Sequence, residues 1–461
     1  GSAAWQRSEE PDAFDVGSRL FTHYDIDHPV VRPWLDQLFG NLLDDAVGPT
    51  GSGTAPRLHM LANEPVFSIR EGGVEADEGV SSYTFDKFAA WLEARYGSIG
   101  NLNTIYGGTS HASFLDAARA YYVPNVGVET YRQGGPIWYD WCMFNTDRVN
   151  DWFTYLHDAV RAVDPAEPTH LKIMGERSIH TDWHDEGIDF EFIAKLVEAP
   201  GSDNQMTSLR AEYDTKTEQD WRNRYVLEWR SQAVMMDFNK SICPEKPFID
   251  LEWHGLSGSR WRDFHMEPEY VRAGLWLAAT HGLSAINAWV WNRQHPTGAI
   301  DTRADFIGTT VTQPLQLDAF GRTMKELNAH GDDVTSLVPD ERYYVIYYNR
   351  DSAIQDNVYS DDMMNVYEAL KLLNVPVGFT TPTELVSVSN ASQTVIVPPT
   401  PFISDGDLAD LQAFESGGGS MLLVTPSPVS WYMRRDELGF SRSSPSFACP
   451  TVPLQGVLDM A

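Results

Sequence analysis

The sequence predicts an α/β protein whose larger part is a (β/α)8 barrel, the TIM barrel. Short apolar runs alternate with helical segments, and this alternation is typical of a parallel sheet. Polar or acidic residues follow the apolar runs, as they do where barrel strands present reactive groups at one face. With 461 residues, the chain is too long for one barrel of about 250 residues, so we expect a second domain.

The predicted barrel strands are apolar runs with a polar residue at or just past their ends. They cover residues 58–62, 170–175, 205–209, 247–251 and 284–291. Predicted helices between or beside them cover residues 85–96, 146–163, 219–239 and 268–280. If Leu58 begins strand four of a barrel, then Glu252 ends strand seven and Trp291 ends strand eight.

The amino-terminal part of the sequence is too short for the strands that should precede Leu58. Only residues 1–57 are available, whereas three strand–helix units need roughly 90 residues or more. Residues 19–24 are expected to end strand three, with a helix at 31–46 after it. We therefore expect further upstream sequence, or a companion chain, to complete the barrel, and Gly1-Ser2 resembles a tag scar.

Two acidic residues at predicted strand ends carry the functional prediction. Glu64 lies in Asn63-Glu64-Pro65, directly after the first run, and Glu252 follows the fourth. Either residue alone is weak evidence, because glutamates commonly end strands as solvated side chains. Together, two carboxylates on two strand ends meet the minimum requirement for hydrolysing a glycosidic bond.

These features resemble the clan A retaining glycoside hydrolases, which carry the acid/base after strand four and the nucleophile after strand seven. Within that clan the chain is most similar to the family 42 β-galactosidases, over roughly residues 19–310. The further matching segments are residues 88–99, Leu102-Asn103, residues 140–153, Trp261 and Trp291. The resemblance implies that Glu64 is the acid/base and Glu252 the nucleophile of an exo-acting enzyme for terminal β-galactosides.

The sequence departs from the family pattern at several positions. Pro65 stands where the family has Tyr or Phe, and Cys142, Cys243 and Cys449 are too few and too dispersed for the usual zinc cluster. We expect no metal and no cofactor. Marine galactan hydrolases that act on agar or carrageenan oligosaccharides share the barrel and remain an alternative, as does a noncatalytic carbohydrate-binding or scaffold protein on a degenerate barrel.

Substrate contacts are expected around the two glutamates. Asn63 is placed to hold the sugar 2-hydroxyl, indole rings at strand ends can stack on sugar faces, and Arg70 could pair with a carboxylate or a sulfate. The expected contact residues are Asn63, Arg70, Glu176, Trp253, His254, Trp261 and Trp291. His180, Asp182 and His184 could form a metal ligand set, but we favour sugar contacts or a solvated loop there.

The two glutamates need different pKa values. Glu64 must start the reaction protonated, so we expect burial or the charge of Glu252 to raise the pKa of Glu64. We expect hydrogen bonds to keep Glu252 ionised.

Residues 331–461 are predicted to form a smaller α/β domain, and the sequence leaves open a truncation at its carboxyl end. Its predicted strands are 343–348, 375–379, 394–397 and 420–424, and its predicted helices are 361–373 and 404–416. The arrangement resembles the flavodoxin-like domain that follows the barrel in family 42 enzymes and serves trimer assembly. The resemblance therefore implies a homo-trimer.

The net charge of -31 argues against two classes of binding partner. It opposes nonspecific binding to nucleic acid and to anionic membranes, and no apolar run of about 18 residues exists for a membrane span. A marine or salt-adapted source, or simply an acidic surface, accounts for the charge equally well. A periplasmic or secreted location is favoured over a cytoplasmic one.

Overall fold

A five-stranded parallel sheet forms the larger half of the fold in this computed structural model. Its strands are β1 His59–Asn63, β2 Thr169–Met174, β3 Gly201–Asp203, β4 Phe248–Trp253 and β5 Leu283–Ala288, and they lie side by side in chain order. The structure describes residues 6, 9–10, 13, 24–47, 58–67, 81–120, 135–174, 179, 186–204, 229–254, 268–289, 313–338, 342–356, 358–424, 431–435 and 439–443. Parallel neighbours in chain order are the arrangement of consecutive barrel strands.

Helices connect and cover these strands. They are α1 Val31–Val47, α2 Ser82–Tyr96, α3 Ile99–Ile105, α4 Phe114–Ala120, α5 Pro136–Val163, α6 Phe190–Leu196, α7 Trp229–Ile242, α8 Pro268–Thr280, α9 Pro314–Ala329 and α10 Gly331–Thr335. In the described part of the chain, no helix is both long and apolar enough to cross a membrane. Helix α5 begins ten residues before its predicted start because Pro136 occupies its first turn, where a missing N–H costs nothing.

The third strand differs from the sequence prediction. The predicted run at 205–209 lies outside the described residues, and the strand found here is β3, which ends at Asp203. Gly201 lets β3 approach β4 closely, since a Cβ at this position would lie 1.8 Å from the carbonyl oxygen of Ile249. A strand of Gly, Ser and Asp has no apolar run, so its pattern does not reveal it.

The outer strands of the sheet are β1 and β5. Within the described residues each is paired on one side only. Met60 on β1 is 47% exposed, and Ser284 and Ala285 on β5 are exposed. The predicted end of strand three at residues 19–23 lies outside the described residues.

A second parallel sheet follows at Tyr344. It contains β6 Tyr344–Tyr347, β7 Val377–Thr380, β8 Thr394–Val397 and β10 Ser420–Leu423, in the order β10-β8-β6-β7. A three-stranded sheet joins β9 Phe402–Ser404, β11 Trp431–Arg435 and β12 Gly439–Ser443. Helices α11 Arg350–Gln355, α12 Tyr359–Leu372 and α13 Asp405–Ser416 accompany them. The predicted strand at 394–397 is confirmed, and the other predicted elements of this sheet agree within two residues.

The two sheets are joined by a shared core and by ion pairs. Phe238 of α7 packs against the rings of Tyr348 and Phe379, with centroids 5.8 and 5.7 Å away. Arg350 pairs with Asp189 at 2.8 Å, and Lys371 pairs with Asp237 at 2.9 Å. The smaller unit therefore lies against helices of the larger one.

Candidate active site

Glu64 and Glu252 converge on one buried lysine at the carboxyl ends of β1, β2 and β4. Lys172 Nζ donates to Glu64 Oε1 at 2.7 Å and lies 2.6 Å from Glu252 Oε1. Those two contacts limit the separation of the two carboxylate oxygens to about 5.3 Å, and retaining glycosidases have carboxyl groups about 5–5.5 Å apart. The two predicted reactive groups thus share one small site.

Glu64 is held in an unusual backbone conformation. Its φ of 45° lies in the left-handed region, which costs a residue other than glycine about 1–3 kcal/mol. Its N–H donates to the carbonyl oxygen of Lys172 at 2.8 Å, which fixes this conformation. Such strain persists only where the surroundings enforce it, and it concentrates at functional sites.

The end of β4 is anchored by a buried acid. Asp250 is completely buried, and its carboxyl oxygens accept the N–H groups of Asn204 at 3.1 Å and Glu252 at 3.2 Å. Burial raises the pKa of Asp250 to about 8. Asp250 therefore joins the end of β3 to the end of β4 and orients the backbone that carries Glu252.

Asp203 and His254 complete the wall around Glu252. Asp203 Oδ2 lies 3.9 Å from Lys172 Nζ, and His254 Nε2 lies 3.9 Å from Glu252 Oε2. Asp203, Glu252 and His254 each place one possible ligand atom within 4.8 Å of the others. Aspartate, glutamate and histidine are residue types that bind metal ions. The Lys172 ammonium lies 2.6 Å from Glu252 and 3.9 Å from Asp203 and supplies a positive charge beside both carboxylates, so we assign no metal to this group.

The pKa directions of the two glutamates are the reverse of those expected from the sequence. Burial raises the pKa of Glu252 to about 7, and the charge of Glu64 adds to this increase. Burial also opposes ionisation of Glu64, but the Lys172 ammonium outweighs it and lowers the pKa of Glu64 below its ordinary value. The sequence prediction was wrong here because it did not include Lys172. Between them the two carboxyls retain one proton up to about pH 7.

The remaining predicted contact residues fall into three groups. Asn63 ends β1 in register with Lys172, and His254 follows β4 with its ring 6.2 Å from that of Trp289. Trp253 does not face the site. The other predicted contacts lie outside the described residues: Arg70, Glu176, Trp261 and Trp291. The same is true of His180, Asp182 and His184, the alternative metal ligands.

The sequence prediction that Trp253 contacts the substrate is wrong. Its side chain is fully buried, its indole N–H donates to Gln232 Oε1 at 2.9 Å, and it packs with Val271 and Leu275 of α8. Successive strand residues point to opposite faces of a sheet. Since Glu252 faces the site, Trp253 must face the helices.

Sequence reasoning missed Lys172 and Asp203. The signal for Lys172 was a charged residue inside the apolar run His-Leu-Lys-Ile-Met, where Leu171 and Ile173 join the core beneath the helices. The alternation of strand residues then places Lys172 on the opposite face, towards the barrel axis. Asp203 is the last residue of β3, a strand too short to be recognised from the sequence.

The family model for the β-galactosidases of glycoside hydrolase family 42 matches residues 70–327, which is more than half of the chain. The chain belongs to this family. The matched segment contains Glu252 but begins after Glu64. The roles expected of Glu64 and Glu252 therefore depend on the geometry described above.

Solved structures of family 42 enzymes share the fold. The chain is 27% identical to the apo exo-carrageenase of Bacteroides ovatus, with a TM-score of 0.79 over 95% of this chain and 57% of that one. The cold-adapted β-galactosidase of Rahnella sp. R3 is 19% identical, with a TM-score of 0.68 over 95% of this chain and 60% of that one. This chain thus spans somewhat more than half the length of these structures.

A curated relative gives a sequence comparison. A β-galactosidase from an Arthrobacter species is 24% identical over 230 residues, or 47% of this chain and 30% of the relative. The likenesses establish the β/α-barrel fold of family 42 for this chain.

Proposed function

We propose that the protein is a retaining, exo-acting β-glycosidase that removes terminal β-galactosyl residues from galactosides or galactan oligosaccharides. The observation that carries this proposal is the pairing of Glu64 and Glu252 across Lys172 at 2.7 and 2.6 Å. Their spacing supports a double displacement, because an inverting enzyme needs carboxyl groups about 6.5–9.5 Å apart to admit a water.

In the first step a carboxylate oxygen of Glu252 attacks the anomeric carbon, and the bond from that carbon to the leaving oxygen breaks. Glu64 gives its proton to the leaving oxygen. In the second step Glu64 takes a proton from water, the water oxygen bonds to the anomeric carbon, and Glu252 leaves as a carboxylate. One proton on the pair at the start suffices for both steps, provided that substrate binding places it on Glu64.

Two kinds of galactoside remain as substrates for this site. The 27% identical relative is an exo-carrageenase, which supports sulfated galactan oligosaccharides as substrates of this protein. Other relatives are β-galactosidases, which supports unsulfated β-galactosides as substrates. We propose that Asn63, His254, Glu176, Trp261 and Trp291 contact the sugar and that Arg70 contacts a sulfate group where one is present. A noncatalytic sugar-binding role is not favoured, because both carboxylates are present and paired.

A substrate panel tests this proposal. The protein is incubated with aryl β-galactosides, aryl β-glucosides, and carrageenan and agar oligosaccharides before and after desulfation. We expect release of one terminal residue from a β-galactosyl substrate, with the β-configuration retained in the first product seen by proton NMR. Activity on β-glucosides alone, or an α-configured first product, would contradict the proposal.

We further propose that residues 331–461 form a flavodoxin-like assembly domain and that the protein is a homo-trimer. The parallel sheet β10-β8-β6-β7 with its helices supports the domain type. Light scattering at micromolar concentration should give about three times the 51.8 kDa chain mass. A monomer mass would count against assembly through this unit.

We also propose that further sequence or a companion chain completes the barrel. Support comes from the outer strands β1 and β5, which within the described residues are paired on one side only and carry exposed residues, since unpaired sheet edges invite association. Intact mass spectrometry and denaturing gels of the active protein test this. A soluble, active sample with only a 51.8 kDa species would refute it.

A further inference from the structure

The ammonium group of Lys172, on β2, is buried at one face of the five-stranded sheet. Its side chain is only 1% exposed, and β2 lies between β1 and β3, so the side chain reaches Glu64, which follows β1, and Asp203, which ends β3. A buried ammonium is strongly unfavourable unless it is paired and hydrogen-bonded. The carboxylates of Glu64 and Glu252 supply that pairing.

The charges around Lys172 do not balance if every acid is ionised. One ammonium faces Glu64, Glu252 and Asp203, at 2.7, 2.6 and 3.9 Å. Carboxylates that share a site cannot all ionise easily, because each charge disfavours the others. The cluster therefore retains a proton, and the lysine determines how high the pH must rise before it is lost.

Lys172 also fixes the position of Glu64 through its backbone. Its carbonyl oxygen accepts the N–H of Glu64 at 2.8 Å, in addition to the side-chain contact at 2.7 Å. One residue thus holds both the main chain and the carboxylate of Glu64. Because Lys172 also contacts Glu252, the same ammonium group holds both carboxylates in position.

We propose that Lys172 is a positioning residue of the glycosidase reaction, whose ammonium holds Glu64 and Glu252 together and sets the pH range in which they share one proton. The inference rests on the proposed function and adds a residue to it. When Glu252 becomes an ester in the first step, it loses its charge. Lys172 then keeps its 2.7 Å contact to Glu64, with Asp203 at 3.9 Å, and its charge favours the Glu64 carboxylate that must act as base in the second step.

The pH profile of the variant Lys172→Met tests this role. Methionine keeps much of the side-chain volume and removes the charge, so both carboxyl groups lose a stabilising cation and bind protons more tightly. Both limbs of the kcat/KM profile should move to higher pH, by about 1–3 units for an opposite charge at this distance. Loss of kcat without a shift in either limb would overturn the proposal.

Two further variants separate charge from packing. Lys172→Arg keeps the charge, so its limbs should stay near those of the wild type even if kcat falls. Lys246→Met is the matched control, because Lys246 Nζ donates to the carbonyl oxygens of Ala194, Lys195 and Val197 at 2.9, 2.7 and 2.9 Å and contacts no catalytic carboxylate. An equal shift in the arginine variant or in the control would overturn the proposal.

A titration without substrate keeps the inference separate from the proposed function. Carbon-13 NMR of glutamate-labelled protein follows the carboxyl groups directly, and the signal of Glu252 is identified by its loss in Glu252→Gln. In wild type this signal should titrate near pH 7, and in Lys172→Met it should titrate at least 1 unit higher. An inactive protein that shows this shift would exclude the glycosidase activity but support the positioning role of Lys172. An active protein without the shift would exclude the positioning role alone.

Discussion

Replacement of Glu252 by alanine is expected to lower kcat by about 10⁴-fold or more, the loss that follows removal of a nucleophile in covalent catalysis. Glu252 is the group proposed to bond to the anomeric carbon, so its removal takes away the covalent step. Lys172 lies 2.6 Å from its carboxylate, so the variant also leaves a buried ammonium with one partner fewer. Initial rates on an aryl β-galactoside measure the loss.

Azide distinguishes a missing nucleophile from a damaged fold. The small anion fits the space vacated by the carboxylate and attacks the anomeric carbon from the same face, so Glu252→Ala with azide should yield an α-configured glycosyl azide. The matched control is Glu269→Ala, which removes an exposed glutamate in the first turn of α8 and should leave kcat unchanged. A variant of Glu252 that keeps most of its activity would exclude this residue as nucleophile.

Elements with strong local signals could be predicted from the sequence. Helix α8 begins and ends where the sequence predicts, at Pro268 and Thr280, because a proline opens it and its apolar residues recur at helical spacing. Strand β4 was found because an apolar run leads directly into acidic and aromatic residues. These signals lie within a few residues of one another, so no knowledge of the tertiary structure is needed to find them.

Elements set by their neighbours could not be predicted. Strand β3 exists because Gly201 fits against the carbonyl of Ile249, a contact between segments almost fifty residues apart. Trp253 is buried because adjacent strand residues point to opposite faces of the sheet and Glu252 points into the site. The strand-end pattern alone does not reveal which of the two residues points into the site. In both cases the deciding contact lies in another part of the chain.

The electrostatics of the site were hidden for the same reason. A pair of glutamates predicts a raised pKa for the acid, and this expectation holds when no cation is near. Lys172 lies more than one hundred residues from Glu64 in sequence yet 2.7 Å away in space, and its charge reverses the expected order of the two pKa values. The identity of the pair was therefore available from the sequence, but the location of its proton was not.

Replacement of Glu64 by glutamine should produce a loss that depends on the leaving group. Glutamine keeps the size of the side chain but cannot donate the proton that a sugar leaving group requires, and general acid catalysis contributes about 10²–10⁴-fold. On an unactivated galactosyl disaccharide kcat should fall by that factor. On an aryl galactoside with an acidic phenol the first step should be nearly unchanged, because that phenolate leaves without protonation.

The pH dependence of the same variant provides the sharper criterion. In the wild type, kcat/KM should fall as the pH rises through about 7, because the pair then loses the single proton that the acid needs. In Glu64→Gln, measured on the activated aryl galactoside, this falling limb should disappear. Azide should restore the second step and yield a β-configured glycosyl azide, since it attacks from the face left by Glu64. If the disaccharide and the aryl galactoside lose activity equally, and the falling limb persists, then Glu64 is not the acid and the proton must come from another residue of the site.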